Sequence, residues 1–235
     1  MIGDFDPVEA LEMIKKYLED INALDGPEQL DISEPRQEQE KRFNKVDLLA
    51  NRPALAFAYH VPERNTPEYY AMGLLDQILL KGEDSMLYQA LVKRGLTGDL
   101  EGGINALLGN MFNYNGPMLW MVSLFHDSNV KPDSIMKVTD EVIEKVRNAP
   151  VDKATLDRAL VKLRSSLYNE IDDFFGFGRA DLLACFALFD DDPARINQIE
   201  EQFKKVTPQL IQETAREYLR PTNRTLVTIE PKSGT

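Results

Sequence analysis

The sequence predicts an α+β sandwich, and three observations carry that prediction. The run PALAFAYHVP sets Leu55, Phe57 and Tyr59 on one side at period two, the mark of a half-buried strand. The run TPEYYAMGLLDQILLK then switches to a helical pattern behind a Thr66 cap, with Pro67 in the first turn. Further along, strands and paired helices alternate without a strict strand–helix–strand rhythm, which argues against a doubly wound parallel sheet.

The elements follow in order. MIGDFDPVEALEMIKKYLEDI reads as a strand end, an Asp6 N-cap and a helix carrying Leu11, Ile14 and Leu18 at helical spacing. Residues 25–45 are polar, hold two prolines and show no apolar period, so they read as a linker. VDLLA is expected to be a strand, followed by the PALAFAYHVP strand and the Thr66 helix. DSMLYQALVKRG is expected to be a second helix, capped by Asp84 and stopped by Gly95. GLTGDLEGGIN alternates, with Leu96, Leu100 and Ile104 facing one way and Thr97, Asp99 and Glu101 the other. ALLGNMFNYNG is a connector rich in Asn and Gly, and PMLWMVSLFHD is apolar enough at its centre to be an interior strand. Helical stretches follow in KPDSIMKVTDEVIEKVRNA, VDKATLDRALVKLRSSLYNEIDD, RADLLACFALF, DPARINQIEEQFKKV and TPQLIQETAREYL; TNRTLVTIEP closes the set as a strand.

Composition bounds the function. The chain has 235 residues, 43% of them hydrophobic, enough for a sizeable core. A net charge of −12 argues against general nucleic-acid binding. Charges interrupt every apolar run well short of the about 18 residues a membrane span needs. The N-terminal stretch is acidic, without a basic or apolar leader region, so it does not read as a signal peptide; in a fragment this would say nothing of the parent. The single cysteine, Cys185, rules out an internal disulfide and sits among apolar neighbours as a core thiol.

The residues name no catalytic centre. His60 is followed by VPER and His126 by DSNV, so neither belongs to H-E-x-x-H or H-x-x-E-H, and each reads as a strand-end residue with its ring half solvated. There is no G-x-S-x-G and no G-K-[ST] phosphate loop. The acidic run at Asp190–Asp192 lacks EF-hand spacing and reads as a helix end followed by the next N-cap. Glu141 and Glu144 belong to the wet face of a helix.

The order of these pieces resembles the insulinase/pitrilysin family of zinc peptidases, which includes the mitochondrial processing peptidase. The carriers are MIGDFDPVEALEMIKKYLEDI, then the Pro/Glu-rich linker, then DSMLYQALVKRGL, which is similar to the family's S-x-L-[FY]-x-x-L segment and R-G-L strand entry. Members have two homologous α+β halves, so the resemblance implies a mostly antiparallel sheet packed in two layers against helices. It implies that residues 1–24 are the tail of a first half, 25–45 a linker and 46–235 a second, non-zinc half. The zinc and its H-x-x-E-H would then lie in the first half, with no cofactor held by this chain. The compartment of the parent, bacterial periplasm or cytoplasm, stays open.

The family's second half places an Arg and a Tyr on the substrate through L-R-x-K-x-x-L-x-Y. Here LVKRGLTGD puts Val92 or Leu91 at the Arg position and Gly98 at the Tyr position. Lys93 and Arg94 lie close by; they either bring positive charge to a developing oxyanion or form a solvated helix end. Tyr114, in FNYNGP, either reaches into a peptide-binding chamber or packs as a turn aromatic. Two functions follow: a non-catalytic half that closes a chamber and binds extended peptide, or an inactive scaffold that pairs with a separate catalytic chain. The expected partners are a first-half zinc domain, in cis or in trans, a peptide, and a possible second copy. A third reading, an unrelated small-molecule-binding domain, stands apart from the resemblance.

Overall fold

The period-two apolar runs form the centre of one sheet. The structure is a computed structural model and describes residues 2–22, 24, 31, 33–172 and 177–232. Five strands, β1 (Lys41–Asp47), β2 (Ala54–His60), β3 (Glu101–Ile104), β4 (Leu119–Phe125) and β5 (Arg224–Pro231), lie in the order β1-β5-β2-β4-β3. β2 runs antiparallel to β4 and β5, β3 antiparallel to β4, and β1 parallel to β5. The helices are α1 (Pro7–Leu18), α2 (Pro67–Leu79), α3 (Pro132–Asn148), α4 (Lys153–Ile171), α5 (Phe177–Asp190), α6 (Ile199–Lys204) and α7 (Pro208–Tyr218). The fold is therefore α+β with a mostly antiparallel sheet.

One sheet face is built to be covered. Leu55, Phe57 and Tyr59 point to it and are each 1% exposed. The register sets Phe57 between Val122 and Leu226, and Tyr59 between Trp120 and Arg224. Phe57 and Trp120 meet edge-on, with ring centroids 6.4 Å apart. The opposite face carries smaller residues, among them Ala54, Ala56 and Ser123, and is half-buried.

α2 fills the helical layer. Thr66 caps it by accepting from the Tyr69 N–H, and Pro67 opens the first turn. Eleven of its 13 residues are buried, so this helix is apolar nearly all round rather than striped. α4, α6 and α7 flank it. Its C-terminus has no basic residue of its own in the last turn. Lys162 on α4 supplies the cation instead, with Nζ 2.9 Å from the Gln77 carbonyl and also bonded to that of Lys81.

Several expected elements are placed differently. The strand expected at VDLLA begins earlier, at Lys41, inside the segment read as linker. It is polar because its order comes from backbone pairing to β5, and from Glu40, which grips the buried Arg224 guanidinium. Arg224 also donates to Asp140 on α3. The expected Asp84 helix is one π turn over Tyr88–Val92; Asp84 does not cap it, because its carboxylate takes the Lys162 ammonium at 2.8 Å. Gly95 does end that turn, at φ +72°. The alternating run forms a strand only over Glu101–Ile104, and Thr97 turns inward, donating to the Phe125 carbonyl at 2.6 Å. DPARINQIEEQFKKV splits into a 3-10 turn over Pro193–Asn197 and α6. His126 is 3% exposed rather than half solvated, its Nδ1 3.0 Å from the Asp127 carbonyl oxygen. Part of the linker reading falls on residues 25–30 and 32, outside the described residues.

Asp190 has a larger role than ending a helix. Its side chain is 3% exposed, and the Arg64 guanidinium, 5% exposed, bonds to it at 2.9 Å. Arg64 also lies over the rings of Phe186 and Phe189, at 5.3 and 5.6 Å. Asn65 and Arg195 complete the shell around the carboxylate. Asp192 does cap the following turn, accepting from the Ala194 N–H. Cys185 is buried, and burial pushes its thiol above the ordinary value.

Two outcomes test this packing. Asp190→Ala leaves a buried guanidinium without its counter-charge and is expected to cost about 3–5 kcal/mol in chemical denaturation; a loss under about 1 kcal/mol would refute the pairing's importance. Burial pushes the Glu40 carboxyl up, but bonds from Arg42 and Arg224 outweigh it and hold it below its ordinary 4.5. That contribution is fully present above pH 4.5 and is lost as pH falls through the lower folded-state value. Glu40→Gln should therefore flatten the acid limb of the stability–pH curve, read as urea midpoints from neutral pH downward.

Candidate functional site

A cleft of about 430 Å³ opens between α2, α4 and the edge strand β3. Gly73, Asp76 and Gln77 of α2, Gly102 and Gly103 of β3, and Glu170 of α4 line it. The three α2 residues fall at i, i+3 and i+4, one face of a helix. H-x-x-E-H uses the same spacing, but GLLDQ carries neither its histidines nor its glutamate. An interior Gly and Asp in an otherwise apolar helix were the signal available in GLLDQ, and sequence reasoning passed over it.

Packing accounts for each residue. A Cβ at Gly73 would stand 2.8 Å from Met111 Cε and 3.0 Å from Phe203 Cε1, so no larger side chain fits without displacing Met111. Met111 is held there by the connector: its carbonyl accepts from the Tyr69 hydroxyl. Asn105 Nδ2 donates to Asn113 Oδ1 at 2.7 Å, and the Asn110 N–H donates to the same oxygen at 2.9 Å. The asparagines thus shape the turn, as expected, and Asn110 also reaches Glu170 Oε1 at 3.2 Å. On β3, Gly102 has φ +151°, and a Cβ there would overlap the Met121 carbonyl oxygen.

Asp76 is the carboxyl-bearing floor of the cleft. Oδ1 accepts from the Trp120 indole N–H at 2.7 Å, and Oδ2 lies 4.0 Å from Lys81 Nζ. Burial pushes its carboxyl above the ordinary value, while Lys81, Trp120 and Lys162 pull it back. Lys81 Nζ donates to the Gly102 carbonyl at 2.5 Å, bridging the cleft mouth. Chemically, the site offers a partly matched carboxylate, a second carboxylate on Glu170 and the backbone of an edge strand. It does not fit a zinc ion: Gly73 has no donor, and among the described residues no three His, Cys, Asp or Glu side chains converge.

The residues expected from sequence lie elsewhere. Tyr114 is 6% exposed, its ring 6.4 Å from that of Tyr69 and its buried hydroxyl without a partner among the described residues. Desolvation pushes that hydroxyl well above its ordinary value. Lys93 is exposed, 3.8 Å from Glu83 and over the Tyr88 ring, and Arg94 is exposed beside it. None of these three lines the cleft. No helix among the described residues is long and apolar enough to cross a membrane.

Comparison with known proteins agrees with this architecture. Zinc protease PqqE of Helicobacter pylori is 20% identical over 242 residues, which cover 98% of this chain and 50% of that protein. The chain therefore spans about half the length of that curated relative. The crystal structure of a protease from Helicobacter pylori superposes with a TM-score of 0.79 at 19% identity, over 98% of this chain and 54% of that one. The peptidase M16 inactive domain from Pseudomonas fluorescens gives 0.68 at 18% identity, over 89% and 48%. Both likenesses concern the fold. A family model described as Peptidase M16 inactive domain matches residues 1–163. With most of its length under that model, the chain belongs to the peptidase M16 inactive-domain family.

Proposed function

We propose that this chain is the non-catalytic C-terminal half of a zinc endopeptidase, packing against an H-x-x-E-H half, closing a chamber over it and binding extended peptide. The observation that carries this reading is α1. Leu11, Ile14 and Leu18 form one stripe and are 52%, 40% and 54% exposed, and no residue of the helix is buried. A capped helix with an uncovered apolar stripe is suited to burial against another surface. The first half, in cis or in trans, is the surface we assign to it, with residues 1–24 as its tail and 25–45 as the connection.

In that arrangement the zinc, held by the other half, supplies Lewis acidity and an activated water. This chain excludes bulk solvent and offers the β3 edge, to which an extended peptide can add as a strand. A scaffold role without influence on catalysis is the second reading. It is favoured by the absence of Arg and Tyr from the family's substrate-binding positions, here Val92 or Leu91 and Gly98.

Pairing and rate separate the two. The purified chain alone is expected to hydrolyse no peptide, and hydrolysis of an extended peptide should appear when an H-x-x-E-H half of its parent is present. The double variant Leu11→Asp, Ile14→Asp should abolish co-purification of the halves while leaving this chain's own melting temperature unchanged. Stoichiometric zinc with hydrolysis by the chain alone would overturn the reading. Pairing that leaves the rate of the zinc half unchanged would favour the scaffold.

A further inference from the structure

We infer that the Asp76 cleft is a subsite for a basic side chain, lysine or arginine, presented by a peptide lying as a strand along β3. The inference rests on the peptide-binding reading above and adds what the peptide must carry.

The geometry begins at the edge of the sheet. β3 is the terminal strand of the order β1-β5-β2-β4-β3, so one of its edges has no strand partner among the described residues. The Asn105 N–H bonds to the Leu119 carbonyl at 3.0 Å, which sets the phase of the β3–β4 ladder. In that phase Gly102 and Ile104 turn their backbone groups away from β4. The Gly102 carbonyl confirms the direction, since it accepts Lys81 Nζ from outside the sheet. An incoming strand finds its backbone partners there.

The cleft lies beside that edge. Gly103 faces it without a side chain: a Cβ there would stand 3.6 Å from Asp76 Oδ1 and 2.8 Å from Lys81 Nζ. The missing side chain leaves room between edge and carboxylate that the Lys81 ammonium takes up. Apolar walls from Ile104, Met111 and Leu167 suit an alkyl stem, and Asp76 suits a cationic tip. Among the described residues the lining holds two carboxyl groups, on Asp76 and Glu170, and one ammonium, on Lys81, with that of Lys162 nearby at the Gln77 carbonyl. A buried carboxylate favours a donor that brings its own charge.

Lys81 shows what such a ligand replaces. Its ammonium spans the Gly102 carbonyl and the approach to Asp76, the two groups a strand with a basic side chain would use. Its side chain is 43% exposed. The chain thus holds an internal cation in the place of the external one. A neutral side chain of equal length would displace Lys81 and leave the buried carboxylate without its nearest cation, at a cost in affinity.

The test uses this chain with fluorescein-labelled, soluble nonapeptides of alternating valine and threonine whose central residue is lysine, arginine or norleucine. Binding is followed by fluorescence anisotropy. The lysine and arginine peptides are expected to bind about tenfold more tightly than the norleucine peptide, the scale of one charge-assisted hydrogen bond. Asp76→Asn keeps an acceptor for Trp120 and should reduce that ratio to about one. Lys81→Ala removes the internal competitor and should raise the ratio, which keeps the test decisive if Asp76→Asn folds poorly. Ala106→Trp, at an exposed position on the rim, should weaken the basic peptides most. Equal binding of lysine and norleucine peptides by the unaltered chain would overturn the subsite and leave strand addition standing. A ratio unchanged in both Asp76→Asn and Lys81→Ala would place the cation elsewhere and overturn it too. Failure of every peptide to bind would remove the peptide-binding reading itself, and this inference with it.

Discussion

A carboxylate under an apolar helical layer needs a donor, and Asp76 finds one in the Trp120 indole at 2.7 Å. That bond ties α2 to β4 at the middle of the molecule, because Trp120 is fully buried and α2 is covered on nearly every side. Neither group can move alone without leaving a buried polar atom unmatched, which costs about 1–3 kcal/mol. The aromatic set around it follows: Tyr59 lies 6.0 Å from Trp120 and Phe57 6.4 Å. The helices that enclose α2 then fix where α4 stands, and α4 brings Glu170 to the cleft and Lys162 to the carbonyls at the end of α2. The site is thus a by-product of packing around one buried carboxyl group.

Much of the fold was legible because its causes are local. The caps at Asp6 and Thr66 lie within a few residues of the N–H groups they satisfy. The alternation of Leu55, Phe57 and Tyr59 states directly which side of β2 is covered. What escaped is non-local. β1 looks like linker because its order comes from β5 and from Arg224, remote in sequence. Asp190 looks like a helix end because its partner, Arg64, is 126 residues away. Thr97 looks outward by alternation and is turned inward by the Phe125 carbonyl.

The candidate site was less legible than the fold. Lys93, Arg94 and Tyr114 were singled out by residue type and by nearness to a family motif, and they lie off the cleft. The residues that line it are unremarkable one by one, four glycines among them, with an Asp, a Gln, a Lys and a Glu. Their meaning comes from what a Cβ would strike at Gly73 and Gly103. Exclusion of volume leaves no pattern in a single sequence, whereas caps and alternation do.

The parallel pairing of β1 with β5 has a consequence for how the chain is made. β5 lies between β1 and β2, so the sheet has a missing plank until the last of its strands is synthesised. During translation β2, β4 and β3 can pair and gather α2, because their contacts lie within residues 54–125. β1, although made first, has no neighbour to pair with until residues 224–231 clear the ribosome. Its run of Lys41, Arg42 and Lys45 suits that wait, since charge on an unpaired strand discourages pairing with other chains. Completing this sheet then requires the insertion of β5 between two strands made earlier, a long-range step.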